Sequence, residues 1–146
     1  MRTESSALAL AALGLVSCQP EPARLSITDV RAVATGEMAS AYFTIGNSGG
    51  ADRLVRVEAP DTGEASLHEM SMNQGVMRMR PANGGFVIPA GEGIILAPQG
   101  RHVMIMANRK IPIGTKMPMV LYFERHQPMA LAVPVEGPEL DEGDGQ

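Results

Sequence analysis

Two of the three histidines and six of the eleven methionines in this sequence lie between His68 and Met106. Within that stretch the imidazole and thioether side chains occur at alternate positions: His68, Met70 and Met72, then Met77 and Met79, then His102, Met104 and Met106. Alternate residues of a β-strand share one face, so strands here would aim these groups in a common direction. The turn residues between the runs would allow the segments to converge on one point.

A convergent set of imidazole and thioether groups suits metal chemistry. Thioether sulfur is a soft ligand that favours Cu(I), and imidazole binds copper, zinc, nickel and iron. A set poor in carboxylates disfavours magnesium, calcium and manganese. The alternative is that the methionines fill gaps in a hydrophobic core and that the histidines are ordinary hydrogen-bonded residues. Residue types alone favour neither interpretation.

The spacing of these residues adds a more specific signal. Ten residues separate His68 from Met79, twenty-two separate Met79 from His102, and His102-Val103-Met104 is a His-x-Met tripeptide. This pattern resembles that of the periplasmic copper chaperones of the PCuAC family, although the second gap is one residue longer than in the strict signature. The resemblance covers residues 25–125, through segments such as Tyr42-Phe43-Thr44-Ile45, Asp52-Arg53-Leu54-Val55, Gly75-Val76-Met77, Ile88-Pro89-Ala90-Gly91 and Pro98-x-Gly100-x-His102.

The resemblance implies a copper chaperone with four ligands to Cu(I): His68, Met79, His102 and Met104. It also implies delivery of the ion to a copper centre of cytochrome c oxidase, directly or through another copper chaperone. Two other classes of function stay open from the residues themselves. One is an envelope copper store or buffer without a dedicated recipient, and the other is a metal-free β-sandwich whose methionine-rich face docks a partner.

The remaining soft and charged residues have more ordinary predicted roles. Met106 would share a face with His102 and Met104, and we expect it to serve packing. We expect Met117 and Met119 in the hydrophobic core and His126 in an exposed loop. Glu69 could support the imidazole of His68 by a hydrogen bond, or it could equally point into solvent. The roles of the three other methionines in the stretch stay open between structure and secondary metal capture: Met70, Met72 and Met77.

The N-terminus has the features of a bacterial lipoprotein signal. Residues 1–17 contain an apolar run that is too short to span a bilayer, which needs about 20 residues, and that is typical of a signal peptide. Leu15-Val16-Ser17-Cys18 resembles a lipobox, which implies cleavage before Cys18, acylation of that cysteine and a periplasm-facing protein of the cell envelope. Residues 18–23 would be the acylated cysteine and its spacer. An ordinary signal peptide with an incidental cysteine is the alternative.

Gln19, rather than Asp, follows Cys18. By resemblance to other lipoproteins, this predicts sorting to the outer membrane in a Gram-negative host.

Composition excludes several classes of function. Cys18 is the only cysteine, so the folded domain has neither a disulfide nor a thiolate ligand, and a blue-copper centre, which needs a cysteine with two histidines, cannot form. The net charge of −4 and the lack of a basic stripe argue against binding to nucleic acid. No carboxylate pair, Ser-His arrangement or phosphate loop in a supporting context is recognisable, so we do not expect an enzyme.

Short alternating runs separated by glycine and proline predict an all-β domain over residues 24–136. The predicted strands are Leu25 to Val33, Ala39 to Asn47, Asp52 to Ala59, Ala65 to Met72, Gly75 to Arg80, Gly85 to Ile88, Gly93 to Leu96, His102 to Ala107, Met117 to Arg125 and Met129 to Val135. The resemblance implies a single cupredoxin-like, Greek-key β-barrel or sandwich. Residues 137–146 are acidic and rich in glycine, which predicts a disordered tail.

Overall fold

A computed structural model describes residues 19–139 of the chain. The predicted signal peptide, Cys18 and residues 140–146 lie outside this described part. Ten strands form: β1 (Leu25–Thr35), β2 (Met38–Asn47), β3 (Asp52–Glu58), β4 (Gly63–Asn73), β5 (Val76–Pro81), β6 (Phe86–Ile88), β7 (Ile94–Leu96), β8 (Arg101–Ala107), β9 (Lys116–Phe123) and β10 (Met129–Glu136). Residues 19–139 include no helix long and apolar enough to cross a membrane.

The predicted all-β architecture is confirmed, and every predicted strand is present with its ends within two residues of the expected bounds. The strands follow the order β5-β4-β8-β2-β1-β10-β9-β3-β6, and β7 also pairs with β2. The β1–β10 pair is parallel, while the other pairs are antiparallel. The parallel pair joins two groups of strands, β5-β4-β8-β2-β1 on one side and β10-β9-β3-β6 on the other.

The hydrophobic core follows from the two-residue period of the strands. In β8, Val103 and Ile105 are fully buried, so the intervening residues His102, Met104 and Met106 point to the outer face of the sheet. Met117 and Met119 are buried on β9, which confirms their predicted core positions. The alternation therefore places Met104 and Met106 on the outer face of β8, whereas it places Met117 and Met119 of β9 in the core.

Strands β4 and β5 form a hairpin at the edge of the sheet. The two residues of its turn, Gln74 and Gly75, have φ angles of 51° and 76°, which are the left-handed values that a type I′ turn requires at both central positions. Such a turn fixes the register of the two strands. All six residues of β5 are exposed, and Arg78, Arg80 and Pro81 are the kinds of residue that protect an edge strand from pairing with another chain.

The segment just before β1 is fastened to the domain. The carbonyl groups of Pro22 and Arg24 accept hydrogen bonds from the N–H groups of Gly50 and Ser48, at 3.1 and 3.0 Å. A Cβ at Gly50 would lie 1.8 Å from the carbonyl oxygen of Glu21, so this close approach requires glycine. Residues 21–24 therefore hold a defined position against the domain.

Candidate metal centre

His68 and His102 lie directly opposite each other on the neighbouring strands β4 and β8. The residues beside them, Leu67 and Val103, are buried in the core, so both imidazoles project from the outer face. Their ring centroids are 5.9 Å apart, and the ring planes meet at 29°. Two central strands of the sheet thus bring together two histidines that are 34 positions apart in the chain.

Met79 joins this pair from the edge strand β5. It lies opposite Met70 of β4, which is one alternate position beyond His68, and its Sδ is 3.2 Å from Nε2 of His102. Although His102 is on the outer face, its exposure is only 6%. The ring of Tyr42 on β2 lies 6.5 Å from the His102 ring, on the neighbouring strand away from β4. Surrounding side chains therefore shield the imidazole from solvent.

The hydrogen bonds of His102 determine which of its nitrogens can bind a metal. Nδ1 is 3.1 Å from the carbonyl oxygen of Gly100, and because a carbonyl can only accept, Nδ1–H is the donor. In the neutral ring Nε2 then carries a lone pair, and this lone pair faces the sulfur of Met79. The nitrogen of His102 and the sulfur of Met79 are thus two electron-pair donors in contact, with no proton between them. A metal cation that binds both would stabilise this contact.

His68 contributes a second available nitrogen. Its Nε2 is 3.0 Å from Oγ of Ser66, whereas its Nδ1 is buried and has no hydrogen-bond partner among the described residues. A buried polar group without a partner typically costs about 1–3 kcal/mol, so this nitrogen is poised for a ligand. Burial lowers the pKa of His68 below its ordinary value, and the nearby charge of protonated His102 lowers it further. Both causes favour the neutral imidazole, which is the form that binds metals.

Met104 lies on the opposite side of the histidine pair from Met79. It follows His102 by two positions on β8, shares its face and is partly buried, with Ser66 and Ser40 opposite it on the two neighbouring strands. The structure thus brings three of the four predicted ligands into one cluster, His68, Met79 and His102, and places the fourth at the adjoining position of the same face. Among residues 19–139, no group of three or more His, Cys, Asp or Glu side chains could hold a metal ion.

The expectation for Met106 was wrong, and the structure decides between the two possibilities for Glu69. Met106 is 49% exposed on the outer face, so it does not serve core packing. Glu69 lies between His68 and Met70 and therefore points to the other face of β4, away from the imidazole of His68. Ser66 takes the supporting place instead, and Gly100 has the same role for His102. Ser66 lies two positions before His68 on β4, so the alternation rule could have identified it, whereas the backbone carbonyl of Gly100 lies before β8 and has no such signal.

His126 takes no part in this cluster. It lies just after β9, where its ring meets the edge of Phe123 at a centroid distance of 5.6 Å and its Nδ1 is 2.8 Å from the carbonyl oxygen of Gln127. Its backbone N–H donates to the buried carboxylate of Asp52, which also accepts from the N–H of Arg125. The residue is partly exposed in a bend, and these contacts give it a structural role.

The fold and the cluster define a class: a small β-sandwich protein with a soft, imidazole and thioether site on one face. The family model described as Putative lipoprotein LpqE-like matches residues 25–135 of the chain. The chain is also 34% identical over 122 residues to Putative lipoprotein Lxx21020 of Leifsonia xyli subsp. xyli (strain CTCB07), with 81% of this chain and 72% of the relative covered. The chain therefore belongs to the LpqE-like family.

Solved structures with this fold include PCuAC domains. The apo PCuAC domain from PmoF1 superposes with a TM-score of 0.64 at 25% identity, over 78% of this chain and 94% of that domain. The copper-bound PCuAC domain from PmoF2 gives a TM-score of 0.63 at 23% identity, over 78% and 93% of the two chains. The predicted single-domain, cupredoxin-like β fold is thereby confirmed.

Proposed function

We propose that this protein is a copper chaperone of the cell envelope that binds one Cu(I) through His68, Met79, His102 and Met104. The observation that carries the proposal is the contact of 3.2 Å between the Met79 sulfur and Nε2 of His102, whose other nitrogen donates to Gly100. The buried, unpartnered Nδ1 of His68 adds a third donor, on a ring whose centroid is 5.9 Å from that of His102. Neutral nitrogen and thioether donors suit Cu(I) better than the harder divalent cations.

The spacing of these residues and the fold support the same proposal. The His, Met and His-x-Met pattern resembles that of PCuAC copper chaperones, and the copper-bound PCuAC domain from PmoF2 shares the fold. A thioether also remains usable in an oxidising compartment, where a pair of thiols would tend to form a disulfide.

The position of Met79 supports transfer rather than permanent storage. All four proposed ligands are uncharged when they bind, so they hold the ion without the strong charge attraction of thiolates. Met79 lies on an exposed edge strand with a side-chain exposure of 45%, whereas His102 is buried. A recipient could therefore displace Met79 first while the histidines still hold the ion.

We further propose that the protein is anchored to a membrane through an acyl chain on Cys18 and faces the periplasm. Membership of a lipoprotein family and the Leu15-Val16-Ser17-Cys18 sequence support the anchor. In a Gram-negative host, Gln19 favours the outer membrane. The proposed recipient is a copper centre of cytochrome c oxidase or another copper chaperone, and its support is the resemblance in spacing. The proposed activity is binding and transfer of an ion, without an enzymatic reaction.

The test is a transfer experiment with one equivalent of Cu(I). The apo protein is loaded anaerobically, mixed with copper-free cytochrome c oxidase, and separated from it, and the copper in each fraction is measured. We expect copper in the oxidase, and we expect the His102→Ala variant to fail to carry it. Copper that binds tightly but stays with the protein would indicate a store, while failure to bind Cu(I) at all would indicate a metal-free interaction module.

A further inference from the structure

Near its turn, the outer face of the β4–β5 hairpin consists of methionine side chains. Two cross-strand pairs occupy it, Met70 opposite Met79 and Met72 opposite Met77. Met72 is 67% exposed and Met77 is 41% exposed, so neither packs into the core. In the segment where β4 and β5 pair, residues 68–81, the charged residues Glu69, Arg78 and Arg80 occupy the intervening positions and point to the other face.

The hydrogen bonds of β4 show that the two residues of each methionine pair do not exchange backbone hydrogen bonds, which is the pairing in which opposite residues lie closer together. The N–H of Met70 bonds to Gly100 on the β8 side, whereas the carbonyl of Leu67 accepts from Ala82 on the β5 side. Even-numbered residues of β4 therefore direct their peptide groups away from β5. Both methionine pairs are thus non-hydrogen-bonded pairs, in which the Cα atoms are about 4.5 Å apart rather than about 5.5 Å.

This geometry places four thioethers on a small patch. Successive pairs along a hairpin face are about 7 Å apart, since each residue rises about 3.4 Å. Methionine has three rotatable bonds and adapts its sulfur position easily, so the sulfurs can meet over the middle of the patch. The type I′ turn at Gln74 and Gly75 holds the register that keeps the pairs opposite each other.

We propose that Met70, Met72 and Met77 form a second, thioether-only site for Cu(I). It would capture the ion at the exposed end of the hairpin and pass it to the histidines through Met79. Met79 is suited to this relay because it faces Met70 across the hairpin and its sulfur contacts His102. The direction of the relay rests on the function proposed above, whereas the capture site does not.

The composition of the patch favours an ion over a docked protein. Binding hot spots of protein interfaces are enriched in Trp, Tyr and Arg, and none of these occurs on this face of the hairpin. A face of neutral sulfur atoms without carboxylates offers nothing to a hard cation, but it matches the ligand preference of Cu(I).

The experiment is a titration of the protein, labelled with carbon-13 at the methionine methyl groups, with Cu(I) supplied anaerobically as its acetonitrile complex. Each methyl signal is assigned with a Met→Leu variant. We expect the first equivalent to shift Met79 and Met104, and the second to shift Met70, Met72 and Met77. In the Met72→Leu/Met77→Leu double variant the second equivalent should be lost and the first retained. Because both residues are exposed, the apo fold should be unaffected.

Met38 and Met106 provide a matched control, since they also lie opposite each other on the outer face, with exposures of 46% and 49%. Their signals should stay unshifted at two equivalents. If they shift as much as those of the hairpin, or if the hairpin signals do not move, the second site is refuted. Shifts at Met79 and Met104 alone would leave the proposed function standing. In His102→Ala, hairpin shifts should persist, so the second site stands even if the histidine site fails.

Discussion

Replacement of Met79 by leucine isolates the contribution of one sulfur atom. Leucine has nearly the same volume, and swaps of this kind are tolerated even in protein cores at a cost usually below about 1.5 kcal/mol. The side chain is 45% exposed on the edge strand β5, so the free energy of unfolding should change by no more than about 0.5 kcal/mol. The variant keeps the hairpin and removes the thioether that faces Nε2 of His102.

The expected loss of affinity can be bounded from the structure. Removing a residue that merely supports a metal ligand typically weakens binding 10–100-fold, and Met79 is a proposed ligand, so its loss should weaken the first Cu(I) equivalent by at least about 10–100-fold. This corresponds to about 1.4–2.7 kcal/mol of binding free energy. The proposed ligands His68, His102 and Met104 would remain, so we expect weakened binding rather than none.

Competition with a chromophoric Cu(I) chelator measures this affinity, and a thermal melt of the apo protein checks the fold. Met106→Leu is the matched control because Met106 lies on the same face with a similar exposure of 49%. Only the Met79 variant should lose affinity. If both variants bind the first equivalent as tightly as the unchanged protein, or if both lose the same amount, the assignment of Met79 is refuted.

Three further outcomes are expected. Because the pKa of His68 is lowered in the folded protein, the unfolded chain binds more protons between that lowered pKa and about pH 6.5. The contribution of His68 to the stability of the folded protein is therefore present above about pH 6.5. It is lost as the pH falls through the lowered pKa of His68 in the folded state. Denaturation at stepped pH should show the stability declining there, and no such decline in His68→Ala. Cu(I) affinity of the unchanged protein should decline in the same range, because protons compete with the ion for His68. Cys18→Ser should leave the protein unprocessed or soluble on cell fractionation, and a mature, membrane-bound product would contradict the lipid anchor. Met104→Leu should weaken Cu(I) binding with little change in the apo melt, whereas Met117→Leu, in the core, should leave binding unchanged; the opposite result would exclude Met104 as a ligand.

The strands could be predicted because two separate patterns in the sequence indicate them. Glycine and proline separate the runs, and a two-residue alternation within each run distinguishes core from surface, as in β8 with Val103 inside and His102 outside. The spacing of ten residues between His68 and Met79 also has a simple cause. A two-residue turn at Gln74 and Gly75 places Met79 opposite Met70, one diagonal step from His68.

The contacts between the site residues were less predictable. The alternation shows on which face of the sheet a side chain lies, but it does not show which other side chains cover it. Met106 and Met104 have the same sequence signal, yet one is exposed and the other partly buried. The sequence likewise does not show that Met79 reaches past β4 to His102. That reach depends on the register between β4 and β8, which are joined through a long connection that contains β5, β6 and β7.

The division of the site between inner and edge strands explains how one small domain could both hold an ion and release it. His68 and His102 are on strands whose opposite faces are locked into the core by Leu67 and Val103, so their imidazoles are held in place before the ion arrives. Met79 is on a hairpin strand that has no neighbouring strand on its outer side within residues 19–139. Displacement of one ligand by a recipient needs access, and β5 offers access where the inner strands β4 and β8 do not. On the proposed function, the recipient therefore approaches from the hairpin edge of the sheet, the same edge at which the exposed methionines would collect the ion.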